Sequence, residues 1–359
     1  MKAAVCYEFG KPLVIEELTL DPPQAGELRV KLAACAICHS DIHYMEGAWG
    51  GQLPAVYGHE AAGIVDEIGP GVEDLKPGDS VVVTLIRSCG RCYYCEQGHL
   101  NMCETQFPMD RKGRLHKKDG TPVLQALRTG AFAEEVVVEQ SQVVRIPDTL
   151  SLTSASLIAC GVITGFGAVT NTAKIPSGSS VVVIGTGGVG LNSVQGAVVA
   201  GAHRVIAMDI SDDKLEAART FGATHVVNSA KENALVAVRD LTHGRGADYV
   251  FITVGNAKVI ENSIELLCRG GTAVIVGMTA VGDKSAIETV NLAGDSQRIL
   301  GSKMGATRLR VDVPKLVDLY EQGRLKLDEL ITKCYRLEDI NEAVAAVNRG
   351  EALRNVIVF

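Results

Sequence analysis

Two different rhythms of apolar and polar positions run along the chain. Up to about residue 160 the apolar runs are short and end in turn residues. Leu28 to Ala34 (LRVKLAA) and Ser80 to Thr84 (SVVVT) read as strands, with turns at Gly69-Pro70-Gly71 and Lys76-Pro77-Gly78. This part is predicted to be mainly β. From Ser179 a continuous apolar strand (SVVVIG) leads through a Gly-rich turn into a small-residue helix and then a second strand, RVIAMD. That succession is a βαβ unit, and its rhythm continues through the helical Asp212 to Phe221, His225 to Val227, Asp248 to Thr253, Ala257 to Cys268 and Thr272 to Gly277. Parallel strands with crossover helices follow. From about Gly305 the tail carries a helix (VPKLVDLYEQG), an acidic-opened segment from Leu337 to Asn348, and a terminal strand from Asn355 to Phe359.

Composition narrows the class. A chain of 359 residues exceeds one ordinary domain, so two cores are expected. With 47% hydrophobic against 21% charged residues, disordered and fibrous chains are excluded. The net charge of −7, without a long Lys/Arg run, argues against nucleic acid or anionic lipid as a partner. The opening MKAAVCYEFGKPLVIEEL has no long apolar core before a small-residue cleavage site, which predicts a cytoplasmic protein. Two uncharged stretches, Thr149 to Ala173 and Ile175 to Ala202, are too rich in Gly, Ser, Thr and Asn to predict a membrane span. Ten cysteines without a secretion signal point to a reducing compartment, where clustered thiols bind metal more often than they form disulfides.

The turn after the first apolar strand of the second rhythm is Gly185-Thr186-Gly187-Gly188-Val189-Gly190. Alone, GxGxxG is a weak signal; between a strand and a helix it predicts a dinucleotide site. Gly185 permits the tight turn, Gly187 lets backbone approach a pyrophosphate, and Gly190 lets the helix pack close to the strand. The helix N-terminus then faces the phosphates. Asp209 ends the next strand, about twenty residues on, where a carboxylate accepts hydrogen bonds from ribose hydroxyls and repels a 2′-phosphate. NAD is therefore expected over NADP. The alternative is an ordinary Gly-rich turn with a surface Asp.

The cysteines form two sets. Cys89, Cys92, Cys95 and Cys103 are spaced C-x2-C-x2-C-x7-C in a loop, the pattern of four thiolates closed around a structural zinc. An iron–sulfur centre or unliganded thiols are the alternatives. The second set is dispersed: Cys38-His39-Ser40-Asp41-Ile42-His43, Gly58-His59-Glu60 and Cys160-Gly161. Taken singly, such residues are ordinary packing cysteines and satisfied histidines.

Taken together, CHSDIH, GHE, the four-cysteine lobe, the ACG segment and the late GxGxxG resemble the zinc-dependent medium-chain alcohol dehydrogenases, and the likeness runs on to the terminal GEALRNVIVF. The resemblance implies an α/β protein. A Rossmann doubly wound parallel sheet would cover residues 162–304, and a β-rich GroES-like catalytic domain would be assembled from 1–161 and 305–359. It implies two zinc ions per chain, the catalytic one held by Cys38, His59 and Cys160 with the fourth position open. Glu60 would stand behind that metal as a carboxylate that ligates transiently, and Asp41 would orient His59. Ser40 and His43 would relay the proton outward. His39 and Arg354 would present cations to the pyrophosphate, Lys214 would border the ribose beside Asp209, and Val189 and Thr164 would pack on the nicotinamide. Cys6, Cys35, Cys268 and Cys334 match no ligand position and read as packing residues.

Trp49, Leu85 and Met278 would line an apolar substrate pocket. The resemblance therefore implies oxidation of a primary or secondary alcohol to an aldehyde or ketone. Relatives acting on the glutathione adduct of formaldehyde carry a basic residue just after the fourth lobe cysteine, where this chain has Glu104; the basic Arg111 to Lys118 stretch keeps that branch open. A second branch holds its cofactor permanently, and a more remote alternative is a non-catalytic relative. Thr272 to Gly277 is expected at a sheet edge that pairs across a two-fold axis, giving a homodimer or homotetramer.

Overall fold

The computed structural model describes all 359 residues, which divide into two compact units: Met1–Gly161 with Arg308–Phe359, and Val162–Thr307.

The first unit is built on the ten-residue strand Glu27–Ala36. Leu28, Val30 and Leu32 alternate into the core, while Arg29 and Lys31 face outward and pair with Asp66. Glu60–Ile68 and Glu135–Glu139 pair antiparallel with it, and Ser80–Val83 extends the sheet beyond Glu60–Ile68. The chain's last strand, Arg354–Val358, pairs antiparallel with Glu27–Ala36. The tail helix Ile340–Asn348 adds Ile340, Ala343 and Val347 to the same apolar core. This is why the end of the chain belongs to the unit that the beginning starts.

The second unit is a six-stranded, wholly parallel sheet in the order His225–Asn228, Arg204–Asp209, Ser180–Ile184, Ala247–Ile252, Leu267–Ile275, Arg298–Gly301. Ser180–Ile184 is buried along its whole length, which explains an unbroken apolar run where a one-sided strand would alternate. The order reverses direction between Ser180–Ile184 and Ala247–Ile252. Ligands of open α/β sheets bind at such a switch, outside the carboxyl ends of the strands.

Three sequence expectations need correction. The segment from Ala257 to Cys268 is not one element: the helix Ala257–Ser263 gives way to a short 3-10 turn, and the strand starts at Leu267. Thr272 to Gly277 is not at the sheet edge, because Arg298–Gly301 pairs alongside it and takes the outer position. Cys334 is exposed on the edge strand Ile331–Arg336, so a packing role fails for it. The helix Ala234–Leu241 was not anticipated at all.

The parallel core makes a quantitative prediction. Ile206 is fully buried, so Ile206→Ala is expected to lower the unfolding free energy by about 2–5 kcal/mol in urea titration. Ile210 is 72% exposed, and Ile210→Ala should change it by less than about 0.5 kcal/mol.

Candidate active site

Cys38 lies two residues beyond the strand Glu27–Ala36 and forms the N-cap of the helix His39–Met45. Asp41, in that helix's first turn and fully buried, accepts three hydrogen bonds. Its Oδ2 takes the Cys38 N–H at 3.2 Å, and its Oδ1 takes the Gly58 N–H at 2.9 Å and His59 Nδ1 at 2.9 Å. Gly58 is obligatory there: its φ is +92°, and a Cβ would lie 2.6 Å from the Phe132 backbone nitrogen. With Nδ1–H donating to Asp41, the His59 lone pair is at Nε2, which is buried and has no hydrogen-bond partner.

Nε2 faces a set of donors. The ligand atoms of Cys38, His59, Glu60 and Cys160, all four residues buried, lie within 4.8 Å of one another. A Cys38 and Cys160 pair of buried thiols is electrostatically frustrated. A hydrogen bond from Cys160, helped by His59 and opposed by burial, drives Cys38 well below its ordinary pKa. The same Cys38 partnership, joined by burial, drives Cys160 well above its own. Burial opposes the charged form of His59, but Asp41 and then Cys38 raise it well above the usual imidazole value. A divalent cation satisfies two thiolates and an imidazole lone pair at once. The donor set therefore fits zinc.

Glu60 is the fourth member of this set. Burial pushes its carboxyl up to about 7, against the pull of Arg354. Its Oε2 accepts from the Arg354 guanidinium and from the Gly161 N–H at 3.3 Å, while Oε1 is buried without a partner. Arg354, 5% exposed, is thus ion-paired inside the protein, a role that sequence reasoning missed. The available signal was a guanidinium opening an otherwise apolar terminal strand.

Ser40 and His43 lie three residues apart on the helix and so share a face. Both are half-buried, whereas His39 at the helix start is exposed. The His43 ring lies 5.1 Å from the half-buried Trp49 ring, and Tyr44 meets Trp49 edge-on at 5.1 Å. Leu85 is half-buried just beyond the Ser80–Val83 strand.

The four-cysteine lobe is a second donor set, its sulfurs within 4.8 Å of one another. Thr105 Oγ1 donates to Cys89 Sγ at 2.9 Å, and the Arg91 N–H does so at 3.5 Å. These bonds, Thr105 first, bring Cys89 down to about 6, whereas burial pushes Cys95 up to about 12. Arg87, buried just ahead of the lobe in sequence, joins the segments on either side of it: Nε meets Gln142 at 2.8 Å and a second nitrogen meets Asp110 at 2.6 Å.

In the second unit, Gly185 has φ +88°, and a Cβ on Gly190 would lie 1.8 Å from the Gly185 carbonyl oxygen. The space at Gly187, which caps the helix Gly188–Val199, is open. These glycines form a cradle that fits a dinucleotide pyrophosphate at a helix N-terminus. Asp209 ends its strand beside this turn and accepts from Thr186. Lys214 is half-buried in the first turn of the following helix. Gly165 lies against the Val189 carbonyl, which brings Thr164 and Val189 into one neighbourhood. Met278 is 62% exposed.

Two family models match the chain: alcohol dehydrogenase GroES-like domain over residues 24–148 and zinc-binding dehydrogenase over 188–322. An NDMA-dependent alcohol dehydrogenase of Amycolatopsis methanolica is 40% identical, with 99% of this chain and 98% of the relative covered. The class-3 alcohol dehydrogenase of Zea mays is 40% identical over 100% of this chain and 96% of its own length. The crystal structure of benzyl alcohol dehydrogenase from Acinetobacter calcoaceticus superposes with a TM-score of 0.93 at 30% identity, covering 100% of this chain and 99% of the other.

The two donor sets are separable by mutation. Asp41→Ala is expected to weaken metal binding at Cys38, His59 and Cys160 by about 10–100-fold. Elemental analysis after dialysis against a mild chelator should then find one zinc per chain instead of two. Cys103→Ser should instead remove the lobe's zinc and lower the unfolding midpoint.

Proposed function

The chain belongs to the zinc-dependent medium-chain alcohol dehydrogenase family, and on that premise we propose that it interconverts simple primary or secondary alcohols with aldehydes or ketones, using NAD. The observation that carries the reading is the buried set of Cys38, His59 and Cys160, whose imidazole Asp41 holds in the ligating tautomer. Cys38, His59 and Cys160 would hold the ion and, with Glu60 drawn to Arg354, a position would be left for a substrate oxygen. When bound, zinc supplies Lewis acidity to that oxygen and the nicotinamide supplies a hydride acceptor. A carbinol loses a hydride and a proton, giving a carbonyl compound, reduced cofactor and a released proton.

The protein's part is to hold, orient and move that proton. The Ser40 hydroxyl accepts it and His43, on the same helix face, hands it to water. Thr164 and Val189 present one face of the nicotinamide. His39 is exposed and is the candidate to face the pyrophosphate, whereas Arg354 is buried against Glu60. Lys214 borders the ribose. The Asp209 carboxylate receives the ribose hydroxyls and repels a 2′-phosphate, the ground for NAD over NADP.

Part of the basic stretch that kept a glutathione adduct open is paired within the protein, while Arg111 and Lys112 are exposed. Arg114 is buried against Glu27, His116 meets Asp21 at 2.8 Å, Lys118 meets Glu17 at 2.6 Å, and Lys117 lies over the Tyr7 ring at 4.2 Å. This supports an uncharged alcohol, with Trp49, Leu85 and Met278 toward its apolar end. The 40% identity to an NDMA-dependent enzyme favours a second reading, in which the cofactor stays bound and hydride passes between two substrates.

No single helix is long and apolar enough to cross a membrane. We place the protein in the cytoplasm as a homodimer or homotetramer, joined through the outer edge of Arg298–Gly301. Val281 and Val290, 81% and 68% exposed, lie in the segment leading to that edge.

Purified protein with NAD or NADP and a panel of aliphatic, aromatic and polyol alcohols is expected to reduce NAD with simple alcohols, to lose the activity to a zinc chelator, and to regain it with zinc. Ser40→Ala should lower kcat by about 100-fold or more. If turnover needs an added aldehyde or artificial acceptor, and cofactor survives gel filtration, the retained-cofactor reading stands instead. Light scattering should give at least twice the 38.0 kDa chain mass; a monomer would overturn the assembly.

A further inference from the structure

The Asp209 carboxylate is anchored on four sides before any ligand arrives. Its Oδ2 accepts the Thr186 N–H at 2.7 Å and the Thr186 hydroxyl at 2.9 Å, and its Oδ1 accepts the N–H groups of Ile210 at 2.8 Å and Ser211 at 3.1 Å. Each oxygen is thus held by two protein donors, which set the plane of the carboxylate before a ribose hydroxyl approaches it. Three of the donors are backbone and come with any residue at those positions. The fourth is the side chain of Thr186, fully buried in the glycine turn between Gly185 and Gly187.

We propose that Thr186 is a positioning residue for cofactor choice: its hydroxyl fixes the Asp209 carboxylate so that the site accepts a 2′-hydroxyl ribose and rejects a 2′-phosphate. This rests on Asp209 being the ribose acceptor. A carboxylate free to rotate can swing aside and let a phosphate in, losing only the contacts it would have made to ribose. The Thr186 hydroxyl adds a second donor on Oδ2 to the three backbone donors, so the carboxylate retreats less readily and its charge stays opposite the 2′-position. Orientation is also set before binding, which favours the ribose diol. Specificity thus comes from two residues, one carrying the charge and the other denying it freedom.

The test uses zinc-loaded full-length protein, freed of any carried cofactor, and titrations of NADH and NADPH followed by fluorescence and calorimetry. Thr186→Val keeps the β-branched shape and the backbone donor while removing the hydroxyl. It is expected to weaken NADH about three- to tenfold, within the range of an ordinary net hydrogen bond, and to narrow the NADPH-to-NADH ratio of Kd by at least as much. Thr186→Ser should restore the ratio. Thr186→Ala gives a second measurement should the valine variant be unstable by thermal unfolding. Asp209→Asn is the control for the underlying reading. If it abolishes discrimination while Thr186→Val leaves the ratio intact, or lowers both affinities in parallel, the role of Thr186 is overturned and the ribose reading survives. If Asp209→Asn leaves discrimination unchanged, both are overturned.

Discussion

One buried carboxylate organises the catalytic unit. Asp41 is inaccessible to water and accepts from Cys38, Gly58 and His59, so a single side chain joins the start of a short helix to a turn seventeen residues further on. The helix has only seven residues and would not hold itself together in isolation. Packing of Ile42 and Met45 and the Asp41 hydrogen bonds stabilise it, and Ser40 and His43 inherit their positions from that arrangement. Removing this carboxylate would leave buried N–H donors unsatisfied and free the imidazole to choose the wrong tautomer.

The charges around Asp41 form a closed system that draws on distant parts of the chain. Glu60 follows His59 and is buried, and Arg354 reaches it from a strand 294 residues later in sequence. Antiparallel pairing of Arg354–Val358 with Glu27–Ala36 delivers that guanidinium. The domain is discontinuous in sequence for a physical reason: its core strand and the carboxylate beside the metal ligands both need a partner that the first 161 residues do not provide. A buried Glu60 without Arg354 would have a charge-neutral proton as its cheapest option, which would change the field at the thiolates.

How much of this could be read from residues alone depended on how local the cause was. The strands Ser180–Ile184 and Arg204–Asp209 are legible because burial on both faces demands unbroken apolar runs, and a Gly-rich turn joins the first to its helix. The start of Leu267–Ile275 is hard to read because Gly270 and Gly271 resemble a turn, and they do lie in an irregularity of the ladder, between the pairings of Leu267 with Ala247 and of Thr272 with Tyr249. Arg298–Gly301 has four residues and no pattern of its own; only the sheet beside it makes it a strand. The helix Ala234–Leu241 did carry a signal, the Asn233 side chain accepting from the Val236 N–H at 3.1 Å, but a short ALVAVRDL run suits a strand as well. The cysteine and histidine donors stand out by chemical type. The Glu60–Arg354 pair and the Thr186–Asp209 clamp depend on contacts between separate segments, which no local pattern records.

The two units use one device at their chemical centres. In each, a carboxylate is surrounded by backbone N–H groups from a glycine-containing turn and from the first turn of the element that follows, and is oriented before any ligand binds. At Asp41 the N–H donors are Cys38 and Gly58, and at Asp209 they are Thr186, Ile210 and Ser211. The outcomes differ because the remaining partner differs. Asp41 holds an imidazole whose far nitrogen must point at a cation, so orientation becomes metal affinity. Asp209 accepts from a threonine hydroxyl beside the glycine turn, so the same rigidity would, on the proposed reading, become discrimination between a diol and a phosphate. In both places the glycines are required less for flexibility than for proximity: a Cβ on Gly58 would strike the Phe132 backbone, and one on Gly185 would strike Val254 and Thr253. Close backbone approach lets amide donors converge on one oxygen, and that convergence makes a surface carboxylate's weak preferences into a site's strong ones.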